Sequence, residues 1–210
     1  MKERPAVIFL VDDDASVRRA LTRLIRSAGH RVESFATARE FLAGGWDSNG
    51  PSCLVLDVQM PGLSGLDLQR ELQELDMHLP IIFITGQGDI PMGVRAMKAG
   101  AVDFLPKPVR AETLLPAIEQ ALAQASRERI AVTELDDIRR RVDSLTTRER
   151  EVMELVVTGM INKQIAYKLG IVEQTIKVHR GRMMEKMAVG SLAELVRLAE
   201  KVGIPAKPAN

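Results

Sequence analysis

VIFLVDDDASVRRALTRLIRSAG (residues 7–29) decides how the first half of the chain is read. The apolar run Val7–Val11 stops at Asp12, Asp13 and Asp14, as a buried strand does when it reaches solvent. Val17, Ala20, Leu21, Leu24, Ile25 and Ala28 then recur at helical spacing, and Gly29 stands where a helix C-terminus needs a left-handed residue. A strand followed by an amphipathic helix is one βα unit, and the pattern repeats through residues 1–109. Further strands are expected at Arg31–Phe35, Cys53–Val58, Ile81–Thr85 and Asp103–Leu105. Helices are expected after Thr37, whose spacing to Glu40 suits a capping box, over Leu63–Leu75, and over Pro91–Ala99. Gly44–Ser52, with the lone Trp46, reads as loop. Such alternation predicts an α/β doubly wound parallel sheet.

The second half has a different texture. Residues 113–141 are helix-forming and highly charged, with Ile118, Leu122 and Ala125 as an apolar stripe and Pro116 acceptable only in a first turn. Val132, Leu135, Ile138 and Val142 are spaced too irregularly for a clean heptad seam, so a solvated connector is preferred over a coiled coil. If continuous, that helix would span roughly 40–45 Å. Thr146–Val157, Asn162–Leu169, Glu173–Met187 and Ser191–Val202 follow, with breaks at Gly159, Gly170 and Gly190. They predict a small all-α four-helix domain. The expected division is 1–125, a linker at 126–142, and 143–210, whose last residues, Ile204–Asn210, read as a frayed tail.

Charge follows the same division. Residues 1–125 carry 13 basic against 16 acidic side chains, and residues 126–210 carry 16 against 12, so the net of +1 conceals −3 and +4. A polyanionic partner is expected of the second part only. The single cysteine, Cys53, lies in an apolar run and excludes an internal disulfide framework; a buried small hydrophobe in a reducing cytoplasm is expected. The apolar start ends in aspartates too soon for a signal peptide, and no run approaches the roughly 20 apolar residues that span a bilayer. No membrane association is expected. Three histidines, none near Cys53 in sequence, give no support for zinc.

At the C-terminal ends of parallel strands, side chains converge on the crevice where strand order reverses. Asp12, Asp13, Asp57, Thr85 and Lys107 all stand there in the expected sheet. Clustered carboxylates repel unless a cation joins them, and Mg²⁺ needs only one or two protein carboxylates beside phosphate oxygens. A carboxylate nucleophile, a hard cation, an ammonium and a hydroxyl suffice for phosphoryl transfer. The ordered set Val11-Asp12-Asp13-Asp14, Leu56-Asp57-Val58-Gln59-Met60-Pro61-Gly62, Ile84-Thr85-Gly86 and Lys107-Pro108 resembles the receiver domain of response regulators across residues 6–125. The resemblance implies a five-stranded sheet of order 2-1-3-4-5, with Asp57 as phospho-acceptor. It implies Asp12, Asp13, Asp57 and the Gln59 carbonyl around Mg²⁺, Asp12 acting through water, and Thr85 and Lys107 on the phosphoryl oxygens. It also implies a cis peptide at Lys107-Pro108, and a switch in which Thr85 and Phe104 move together. Phe104 fits equally well as a plain core residue and lacks the hydroxyl of a tyrosine. Gly93 costs the expected fourth helix on the order of 1 kcal/mol.

The C-terminal helices resemble the LuxR-type helix-turn-helix across residues 143–203, which with the receiver identifies the chain as a member of the NarL/FixJ group. Leu145-Thr146-Thr147-Arg148-Glu149 opens this domain on a capping-box spacing, and Gly170–Glu173 makes the tight turn. In the helix that follows, Ile176, Met183 and Met187 share an inward face with His179 beside them. Gln174, Lys177 and Val178 lie on the outward N-terminal half and are the candidates for base edges. Lys163, Thr175 and Arg182 are the candidates for phosphates, Arg180 lies on a flank, and Gly181 removes one side chain from the outer face. Met160–Met187 holds six basic against two acidic residues.

The expected function is that of a DNA-binding transcriptional regulator of a bacterial two-component system, and not an enzyme beyond self-phosphotransfer and autodephosphorylation at Asp57. A histidine kinase would be its donor, and phosphorylation would promote receiver dimerisation and operator binding. Double-stranded DNA, a second copy of the chain and RNA polymerase are the expected partners, in the cytoplasm. Two other readings fit part of the sequence: a receiver that acts only as a protein-binding module, and a Mg²⁺-dependent phosphatase, which has no obvious cap domain for a small substrate.

Overall fold

The computed structural model describes residues 5–44, 50–86 and 90–205. Trp46, with most of its expected loop, and residues 206–210 of the expected tail lie outside the described residues. Two compact units divide the chain at Arg129/Ile130.

The first unit runs β1 (Val7–Val11), α1 (Ala15–Ser27), β2 (Arg31–Phe35), α2 (Ala38–Ala43), β3 (Ser52–Asp57), α3 (Gly65–Glu74), β4 (Ile81–Thr85), α4 (Ile90–Lys98), β5 (Asp103–Pro106) and the start of α5 (Ala111–Asp143). All neighbouring strands are parallel, in the order β2-β1-β3-β4-β5. The apolar strands follow from a sheet covered on both faces. Phe9, Val11, Leu54, Leu56, Ile81 and Phe83 face α2, α3 and α4 through Phe41, Leu68, Leu72 and Ala96. The alternate residues Ile8, Leu10, Cys53, Val55, Ile82 and Ile84 face α1 and α5 through Leu21, Ile25, Leu114 and Ile118. Burial pushes the Cys53 thiol up to about 12, so it behaves as the expected small hydrophobe.

Helix starts depart from the sequence-based bounds where a side chain caps. Ser64 Oγ accepts from Asp67 N at 3.2 Å, so α3 begins at Gly65 rather than Leu63. Thr37 Oγ1 likewise accepts from Glu40 N, while Glu40 returns to Ala36 N instead of to the cap residue. Pro116 does not sit in a first turn as expected. Helix α5 starts at Ala111, where Arg110 O receives the Thr113 and Leu114 amides, and this leaves Pro116 inside the helix. Pro116 is exposed, so the Glu112 carbonyl it cannot satisfy faces water, while Leu114, Ala117, Ile118 and Ala121 on the opposite side are buried.

The helix α5 is continuous through Asp143, and its last turns belong to the second unit: Ile138 and Val142 are buried with that unit's core. The unit continues with α6 (Thr147–Val157), α7 (Asn162–Leu169), α8 (Glu173–Lys186) and α9 (Leu192–Lys201). Val152, Met153, Val156, Ile165, Ile176, Met183, Met187 and Leu195 fill its centre. Gly170 takes the left-handed conformation at φ 66° in the turn between α7 and α8. After α8 that conformation falls to Ala188, at φ 53°, and not to the expected break at Gly190.

The capping box at α6 closes with an ion pair. Glu149, 3% exposed, accepts from Thr146 N at 2.9 Å, and its carboxylate lies 2.6 Å from Lys186 Nζ at the end of α8. The Lys186 ammonium and then the Thr146 amide hold its carboxyl down to about 2. A depressed folded-state pKa makes this contribution complete above the ordinary value of 4.5 and lost as pH falls through about 2. Glu149→Gln should therefore cost about 2 kcal/mol at neutral pH, with the difference from wild type vanishing in strong acid. Urea unfolding followed by circular dichroism at a series of pH values checks it; a difference that does not change with pH would remove the ion pair as its source.

Candidate functional site

The sheet brings five polar side chains of the first unit to the C-terminal ends of β1, β3, β4 and β5. Asp12, Asp57 and Thr85 are buried, Asp13 is exposed, and Lys107 is half-buried. Lys107 Nζ lies 2.7 Å from Asp57 Oδ2 and 2.7 Å from Asp12 Oδ2, bridging two carboxylates that would otherwise repel. Its own backbone N–H donates to Thr85 O at 2.7 Å, and Lys107-Pro108 is cis, as the resemblance implied. Asp57 Oδ1 accepts from Gln59 N at 3.1 Å.

Burial pushes the Asp12 carboxyl up, against the Lys107 ammonium and the Asp14 amide, which pull it down. Burial alone would lower the Lys107 ammonium, but hydrogen bonds to Asp12 and Asp57 raise it above its usual range. Carboxylate oxygens of Asp12, Asp13 and Asp57 approach within 4.8 Å of one another. That oxygen-only donor set suits a hard divalent cation. Thr85 Oγ1 is fully buried with no hydrogen-bond partner among the described residues, a rare state for a hydroxyl and one that an incoming oxygen would relieve. Phe104 is half-buried against Phe83, with ring centroids 6.3 Å apart, and a side chain at Gly93 of α4 would meet its ring at 3.4 Å.

In the second unit, Gln174, Lys177, Val178, Arg182 and Lys163 are exposed and Thr175 is half-buried, while Ile176, Met183 and Met187 are fully buried. The angular division of α8 into an inner and an outer face therefore matches the expected one. His179 is half-buried, with Nδ1 enclosed and without a partner among the described residues. Lys177 pairs with Glu173 one turn earlier at 3.4 Å. Arg180, expected only on a flank, donates to Asn162 Oδ1 at 3.1 Å and so ties α8 to the start of α7.

Residues 8–119 match the response regulator receiver domain, and residues 143–199 match the bacterial regulatory proteins of the luxR family. The chain belongs to the NarL/FixJ family of response regulators. Nodulation protein W of Bradyrhizobium diazoefficiens is 52% identical over 204 residues, covering 96% of this chain and 88% of that one. The solved structure of the response regulator StyR is similar at a TM-score of 0.86 and 50% identity, covering 94% of this chain and 100% of that one. Full-length FixJ from B. japonicum is similar at a TM-score of 0.57 and 42% identity, covering 97% and 99%. This response regulator thus joins a receiver domain to a LuxR-type DNA-binding domain and is a transcription regulator. Among its described residues no helix is long and apolar enough to cross a membrane.

Several residues that tie the receiver's elements together escape a reading of motifs. Gly65 N donates to Val58 O at 3.0 Å, drawing the start of α3 against the strand that carries Asp57. Gln69, buried in α3, donates to Ala99 O at 3.1 Å, and Gln73 does so at 2.7 Å, closing the C-terminus of α4. Only the Gly that follows Ser64 at a helix start leaves a local trace in sequence; the two glutamines read as ordinary polar positions.

Proposed function

We propose that this response regulator takes a phosphoryl group on Asp57 from a histidine kinase and binds its operator in the phosphorylated, dimeric form. The observation that carries the reading is Asp57, buried and paired with Lys107, beside the orphaned Thr85 hydroxyl and within an acidic cluster. An Asp57 carboxylate oxygen attacks phosphorus, and the bond from phosphorus to the kinase's histidine nitrogen breaks. The Lys107 ammonium, already at Asp57, and the Thr85 hydroxyl then hold the transferred oxygens. Asp12, Asp13, Asp57 and the Gln59 carbonyl would hold Mg²⁺, with Asp12 acting through water. When bound, the ion neutralises charge on the phosphoryl oxygens.

Thr85 turning to the phosphoryl group vacates space toward which Phe104, which lies beside Gly93 of α4, moves. On the DNA side, Gln174, Lys177 and Val178 read base edges in the major groove, and Lys163, Thr175 and Arg182 bind phosphates. Residues 1–125, 126–142 and 143–210 act as receiver, connector and DNA-binding domain of a cytoplasmic protein, and the DNA-bound form engages RNA polymerase.

The test is operator affinity. DNA selected from genomic fragments by protein treated with acetyl phosphate and Mg²⁺ should bind treated protein at least about tenfold more tightly than untreated, the scale of an allosteric coupling. Equal affinity would overturn phosphorylation control and leave the receiver as a protein-binding module.

A further inference from the structure

The loop that carries Asp12 and Asp13 is held from outside by one side chain. Arg18, half-buried in the first turns of α1, donates from Nη1 to Asp12 O at 2.7 Å and to Asp13 O at 2.9 Å. Helical side chains lean toward the N-terminus, which brings a residue one turn into α1 back over the preceding loop. A cation in a first turn opposes the helix dipole, so the dipole does not account for this arginine's position.

The remaining polar groups of the loop are also accounted for. Asp12 N donates to Phe35 O at 3.3 Å, Asp12 Oδ1 accepts from Asp14 N at 2.8 Å, and Asp12 Oδ2 pairs with Lys107. Asp14 caps α1, its Oδ1 accepting from Ser16 N at 2.6 Å and Val17 N at 3.3 Å. Unlike those of Asp12 and Asp14, the Asp13 carboxylate has no hydrogen bond or ion pair among the described residues. The Asp12 and Asp14 side chains and the Asp12 and Asp13 carbonyls are thus held, and the Asp13 carboxylate is left exposed.

We infer that Arg18 is a positioning residue for the divalent-cation site: by fixing the Asp12 and Asp13 peptides it sets where their carboxylates stand, without touching the ion or the phosphoryl group. The inference rests on the metal reading of the acidic cluster given above. Two effects of Arg18 oppose each other. Its positive charge weakens cation binding through Coulomb repulsion, and its two hydrogen bonds strengthen binding by pre-ordering the donors. The guanidinium is half-exposed and its Nη1 is committed to two carbonyls, so screening reduces the first effect. Loss of an outer hydrogen bond that orients a metal ligand commonly costs about 10–100-fold in affinity. Ordering therefore prevails.

Titration of metal-free full-length protein with MnCl₂, with free Mn²⁺ counted by electron paramagnetic resonance and then displaced with MgCl₂, tests this. Wild type should show one site that Asp13→Asn removes. Arg18→Ala should bind about tenfold more weakly, with an unfolding midpoint in EDTA close to wild type, and Arg18→Lys should lie between the two. Affinity in Arg18→Ala equal to or tighter than wild type would overturn the role of Arg18 and leave the metal site intact. If Arg18→Ala does not fold, Arg18→Lys decides, because repulsion alone predicts wild-type affinity for it. A wild-type site that Asp13→Asn does not affect would overturn the metal reading, and Arg18 with it.

Discussion

Asp57→Asn should leave the chain folded and unable to accept a phosphoryl group. Incubated with acetyl phosphate and Mg²⁺, wild type should gain one phosphoryl group by intact mass, with acetate released, and the variant none. The argument is chemical: the carboxamide oxygen carries no negative charge, so it does not attack phosphorus at a useful rate. The argument is also structural, because the substitution barely changes volume in a buried position. Lys107 keeps its partner in Asp12, 2.7 Å away, so no buried charge is stranded. Removing one of the clustered carboxylates relieves repulsion, and the unfolding midpoint should hold or rise, as is common where a site is built against stability. Modification that persists in the variant would move the acceptor to Asp12 or Asp13.

What could be read from sequence was whatever depends on periodicity and on strand ends. Val7–Val11 and Ile81–Thr85 are apolar runs, so their burial on both faces follows without knowledge of their neighbours. Asp12, Asp57, Thr85 and Lys107 fall at strand ends, and parallel topology then brings them together. The angular division of α8 was equally accessible, since it needs only 100° per residue. Illegible features depend on partners far along the chain. Lys186 meets Glu149 across 37 residues, and Arg180 meets Asn162 across 18. Neither pairing is implied by local spacing. Pro116 was misplaced because the start of α5 is set by the Arg110 carbonyl and by burial of Leu114, neither of which leaves a capping signature. Arg18 lies on the polar side of an amphipathic pattern, where a loop brace and a solvated charge look the same.

Gly65→Ala carries the other large effect, and it couples fold to site. The α3 helix begins at Gly65, directly behind the strand end that bears Asp57. A Cβ at that position would stand 2.2 Å from Asp57 O and 3.0 Å from Val58 Cα, both backbone atoms that no rotamer change can move. The reason is therefore contact and not conformational freedom: Gly65 is absent from the glycines with positive φ. Relief requires α3 to retreat from β3, breaking the 3.0 Å bond from Gly65 N to Val58 O and loosening Leu68 and Leu72 against the sheet. A clash of this kind costs about 3 kcal/mol or more. The same retreat displaces the Asp57 peptide, and with it the carboxylate paired to Lys107. Urea unfolding should show an earlier transition, and acetyl phosphate labelling should slow at denaturant-free conditions where most molecules remain folded. Wild-type stability with slow labelling would mean that α3 yields cheaply and that Gly65 serves the site alone. Wild-type values for both would mean that the close approach of α3 to β3 is not needed by either.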